Sequence, residues 1–146
     1  MESACAAVFH LLALNFPRES ELWNQMAMDE EAHAEFIAKG MNFGDPENFI
    51  DFDVAPELKQ IRQTIEYAIE FKKLLVKDRI SVKEAFEMAI RLLKMKNESY
   101  LDDLLGKEKE ELVKKVFQRL SEIDRSGLKL VETIMSRYDF QKKKEG

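Results

Sequence analysis

The sequence predicts an all-α bundle with one long crossover, and three observations carry that reading. Composition is the first: 146 residues hold only 5 Gly and 3 Pro, with 45% hydrophobic and 35% charged residues. A chain rich in Glu, Lys, Leu, Ala and Met forms helices and is a poor fit to sandwiches and barrels. The second is period, because apolar residues recur at three- and four-residue steps along most of the chain. The third is length. One domain over 1–146 is the expectation, and a chain of this size buries roughly 68–70% of its unfolded surface.

The elements follow in order. A first helix runs from Glu2 to Asn15, where Ala6, Phe9, Ala13 and Phe16 fall on one stripe. Pro17 ends it, since proline disfavours helical geometry at the residue before it. Ser20 is the expected N-cap of a second helix from Glu21 to about Ala38, with Leu22, Trp23, Met26, Glu30, His33 and Ile37 on one face. A link as short as Arg18–Ser20 makes the two helices antiparallel neighbours.

The segment from about 38 to 80 forms the crossover. Gly40, Gly44, Pro46 and Pro56 break its pattern, while Phe43, Phe49, Ile50 and Phe52 give it side chains to pack. It carries an extra helix from Pro56 to about Asp78, with Leu58, Ile61, Ile65, Ala68, Lys72 and Leu75 on the expected buried side. Ser81 and Glu84 form a capping box that opens the next helix, Val82 to about Leu105. Gly106 breaks the chain, and a last helix runs to Tyr138 with Val113, Val116, Leu120, Ile123, Gly127, Val131 and Ile134 on its inner side. Residues 141–146 form a polar, fraying tail.

Charge and motifs exclude several classes of function. A net charge of −5 argues against a nucleic-acid partner, whose phosphates call for a basic face. The apolar run Ala4–Leu14 lacks a positive leading segment and is too short to span a bilayer. No membrane partner is therefore expected, and a cytoplasmic location follows. A single Cys rules out an internal disulfide framework and CxxC metal sites; Cys5 reads as a small buried hydrophobe. There is no phosphate-cradling Gly-rich loop and no GxSxG nucleophile turn.

The informative residues are polar ones on apolar stripes. Met26, Glu30, His33 and Ile37 are separated by four, three and four residues and project the same way. A core-facing carboxylate needs a compensating partner, and a metal ion supplies one. Glu-x-x-His on a bundle helix is the ligand spacing of di-iron carboxylate proteins; the other reading of the pair is a local hydrogen bond. Asp124 stands on the inner side of the last helix, three residues before Gly127. It reads either as a further ligand or as a boundary residue paired with Arg125 or a Lys. Glu2 adjoins the apolar run of the first helix, as a ligand or as a solvated group in its first turn. His10 reads as a satisfied helix residue.

These residues also carry a resemblance. Glu2–Phe36, above all the stretch MAMDEEAHAEF, resembles the first helical hairpin of rubrerythrin-like members of the ferritin-like superfamily. SVKEAFEMAIRLLKMKNESYLDDLL followed by LVKKVFQRLSEIDRSGLKLVETI resembles the second hairpin. The resemblance implies a ferritin-like antiparallel four-helix bundle. In that family four helices give Glu, Glu-x-x-His, Glu and Glu-x-x-His to two irons. Glu2 matches the first Glu, and Glu30 with His33 matches the second set. The third Glu falls at Leu93, and the last Glu-x-x-His falls at Asp124 and Gly127.

Leu93 and Gly127 thus replace ligands to one iron, whereas Glu2, Glu30, His33 and Asp124 would surround the other. The implied metal site is a single iron, manganese or zinc ion. The expected function is a binding protein whose di-iron centre is partly lost, non-catalytic or holding at most one divalent metal per chain. One alternative is an oxidase or peroxidase that recruits Glu98 or His10. The other is an oligomerisation module built on the crossover aromatics and the extra helix. The resemblance implies a homodimer, and no CxxC-type electron-transfer domain accompanies the bundle.

Overall fold

The structure, a computed structural model, describes residues 1–43, 55–99 and 122–138, with side chains placed for 1–35, 59–96 and 122–138. Every described element is helical, and the described residues contain no strand. The chain divides into two compact units, Met1–Asp78 and Arg79–Gly146.

In the first unit, α1 spans Glu2–Asn15 and a single 3-10 turn spans Pro17–Glu19. Helix α2 spans Ser20–Phe43 and α3 spans Ala55–Val76. Proline stops α1 as its backbone chemistry requires: Phe16 leaves the helical region at φ −126° and ψ 78°. Ser20 is not an N-cap. It adopts φ −57° and ψ −36° and donates its N–H to Pro17, so the 3-10 turn feeds α2 directly. The helix also continues past Ala38 through Gly40, because one glycine costs only about 1 kcal/mol inside a helix.

Helix α1 packs against both α2 and α3. That double partnership explains why Cys5, Ala6, Val8, Phe9, Leu12 and Ala13 are all buried, a broader band than one stripe. Phe9 stacks on Trp23 with ring centroids 6.1 Å apart and planes 8° from parallel. On α3 the buried face is Thr64, Ala68, Phe71 and Leu75. Lys72, expected on the buried side, is exposed instead. The helix is turned so that the larger apolar Phe71 is buried, and Thr64 joins it by bonding its hydroxyl to the Gln60 carbonyl at 3.0 Å. Asn15 ties α1 to the end of α3 by donating to the Leu75 carbonyl at 2.9 Å. Asp78, at φ 50°, takes the left-handed conformation that ends α3 before the expected boundary.

In the second unit, α4 spans Val82–Ser99 and α5 covers residues 122–138. The capping box forms as the spacing predicts: Ser81 N–H donates to Glu84 at 2.7 Å and Glu84 N–H donates to the Ser81 hydroxyl at 3.2 Å. Ser81→Ala should lower stability by about 1 kcal/mol, read as a shift of the urea midpoint with unchanged slope. Ala85, Phe86, Ala89, Leu92 and Leu93 make the buried face of α4. Three contacts run in opposite senses along the two helices and make them antiparallel: Phe86 with Tyr138, Lys94 with Glu132, and Lys96 with Asp124.

The expected crossover residues 44–54, the chain between 100 and 121, and the tail 141–146 lie outside the described residues. No described helix is long and apolar enough to cross a membrane.

Candidate metal centre

The centre starts from helix periodicity. In α2 the buried residues Trp23, Met26, Ala27, Glu30 and His33 recur at three- and four-residue steps, so Glu30 and His33 inherit the direction of the apolar stripe. The Phe9–Trp23 stack sets the register of α1 against α2. Because the helices are antiparallel, moving two turns from Phe9 towards the start of α1 matches two turns from Trp23 along α2. That places Glu2 opposite Glu30 and His33.

One donor atom from each of Glu2, Glu30 and His33 lies within 4.8 Å of the other two. His33 Nδ1 is 3.9 Å from Glu30 Oε2. The three residues are 7%, 2% and 5% exposed, so each is effectively withdrawn from solvent.

The donor set is two carboxylates and one imidazole, without a thiolate. Such oxygen and nitrogen donors suit iron, manganese and zinc. Ligands about 2.1 Å from a common ion stand at most about 4.2 Å from one another. Small side-chain rotations therefore close the observed spacing onto an ion. Charge fits as well, since two carboxylates and a neutral imidazole balance a divalent cation. This buried group can hold a metal ion.

Asp124 meets a different fate. It is buried in the second unit, where Lys96 Nζ donates to its Oδ1 at 2.8 Å. The Lys96 side chain is 0% exposed and that of Asp124 is 4% exposed. Of the two sequence readings of Asp124, the pairing with a lysine is the one formed, although in the interior and not at a boundary. Sequence reasoning overlooked Lys96. The signal was present, because Ala89, Leu92, Leu93 and Lys96 share the spacing of one apolar stripe. Leu93, 1% exposed, is core, and Gly127 is half-buried.

The remaining candidates are quickly placed. His10 is exposed, and its Nε2 lies 2.7 Å from Glu31 Oε1, linking α1 to α2 at the surface. Cys5 is buried as expected. The Glu98 side chain lies outside the described residues. Comparison of the chain with protein-family models, with curated proteins and with solved structures gives no match.

Proposed function

We propose that this protein binds one divalent metal ion per chain through Glu2, Glu30 and His33, and that it is a binding protein and not a redox enzyme. The observation that carries the reading is the burial of three metal-ligating groups, from two helices, within 4.8 Å of one another. The ion is iron, manganese or zinc, on the chemistry of the donors.

The wider reading is a ferritin-like, rubrerythrin-like protein with a reduced metal centre. In it the fold is the ferritin-like antiparallel four-helix bundle that the resemblance implies, the chain is a cytoplasmic homodimer, and no nucleic acid or membrane is a partner. Support for a single ion comes from the residues at the positions that the resemblance gives to a second iron. Leu93 and Gly127 offer no donor there, and the Asp124 charge is already answered by Lys96. Two-iron peroxide chemistry needs ligands for both ions.

The test is metal content per chain by elemental analysis, after the protein is loaded with Fe(II) under argon, Mn(II) or Zn(II) and freed of excess ion. Wild type should retain one ion of at least one of these metals. His33→Ala should lose stoichiometric binding, and Asp124→Asn should retain it. Absence of bound metal in wild type, or undiminished binding in His33→Ala, refutes the proposal.

A further inference from the structure

The Lys96–Asp124 pair takes no part in the metal reading. Its side chains are 0% and 4% exposed, and the ammonium donates to the carboxylate at 2.8 Å. A buried ion pair adds little net stability over a well-packed apolar pair of similar volume, because lost hydration offsets most of the attraction. What it does instead is penalise arrangements in which the two charges are parted.

The apolar contact between α4 and α5 is poor at choosing one alignment. On α4 the buried residues Ala85, Phe86, Ala89, Leu92 and Leu93 recur at three- and four-residue steps. On α5 Ile123, Gly127, Val131 and Ile134 fall at the same steps, Val131 buried and the others half-buried. Such faces look alike from one turn to the next. A slide of α5 by one turn, about 5.4 Å, exchanges one set of apolar contacts for another. The Phe86–Tyr138 contact, with ring centroids 5.5 Å apart, is of this replaceable kind. Lys94 and Glu132 meet at 3.5 Å, but with side chains 55% and 46% exposed the pair is too weak to select a register.

Lys96 and Asp124 respond differently. A slide that carries Asp124 one turn towards the start of α4 sets its carboxylate against Leu92 and Leu93 and leaves the Lys96 ammonium behind. Both charges stay enclosed, and each has lost the other.

We propose that the Lys96–Asp124 pair is the register lock of the second unit. It holds α4 and α5 to a single antiparallel alignment and contributes little to how tightly they associate. A single buried polar contact fixes register in the same way where two helices pack through a repeating apolar seam.

The test reads the alignment directly. Spin labels are placed on the full-length protein at two exposed positions, through Lys83→Cys and Ser126→Cys, with Cys5→Ala removing the native thiol. Pulsed electron paramagnetic resonance then measures their separation in folded protein, folding being checked by cooperative urea unfolding. The otherwise wild-type chain should give one distance. Lys96→Met/Asp124→Leu should keep a urea midpoint near that of wild type yet show a second population, displaced by about 5 Å, one helical turn.

Moving the lysine supplies an independent check. In Leu92→Lys/Lys96→Leu the ammonium sits one turn earlier on α4, and α5 should follow it, so that the displaced distance becomes the main one. A single, unshifted distance in either folded variant overturns the proposal, because apolar packing then fixes the register without the charges.

Discussion

Replacing Lys96 by methionine should lower stability by about 3–5 kcal/mol, the largest effect expected of any single substitution in the second unit. Methionine keeps most of the length and apolar bulk of lysine, so the change isolates the ammonium group. Its loss leaves Asp124, whose side chain is 4% exposed, as a buried carboxylate deprived of the charge-assisted hydrogen bond at 2.8 Å. Desolvation of that charge is the cost, not the attraction itself. The double variant Lys96→Met/Asp124→Leu should therefore recover most of the loss, because a well-packed apolar pair often matches a buried ion pair. Urea denaturation of the single and double variants decides the matter. A single variant within 1 kcal/mol of wild type would show that the pair is not electrostatically isolated.

Glu30→Gln should act in opposite directions on the metal-free and metal-loaded protein. Glu2 and Glu30 place carboxylate oxygens within 4.8 Å of each other in a site nearly closed to water. Two full charges at that separation repel by about 3 kcal/mol at an effective dielectric of 20. Removing one charge should raise the thermal midpoint of the metal-free protein, by up to that amount in stability. In wild type, a divalent ion at a thousandfold its dissociation constant adds about 4 kcal/mol by mass action. The variant should show little of that gain. Calorimetry of both proteins with and without Zn(II) or Mn(II) reads all four states. A metal-induced shift of equal size in both would place the ion elsewhere. The pattern expected here is that of a functional site, where local stability is given up for ligand binding.

The Lys96 pair illustrates why one half of the expected ligand set was legible in sequence and the other was not. Glu30 and His33 share a helix, and helix geometry alone aligns residues three apart with the apolar stripe on which they sit. Asp124 was correctly placed on an inner face, but the identity of its partner depends on a residue twenty-eight positions earlier in the chain. A lysine on a stripe reads as a residue whose long stem reaches back to solvent, the usual behaviour of such side chains. Only the pairing of α4 with α5 shows that Lys96 is enclosed.

Local chemistry by itself determined much of this protein. The end of α1 at Pro17, the capping box of Ser81 with Glu84 and the common face of Glu30 and His33 all follow from interactions within a few residues. Tertiary packing decided the rest. It turned α3 to bury Phe71 and expose Lys72, aligned α1 so that Glu2 meets Glu30 and His33, and enclosed Lys96 with Asp124. The physical reason is the same in each case. A helix fixes which of its residues point together, whereas the face that loses its water is chosen by the helices packed against it.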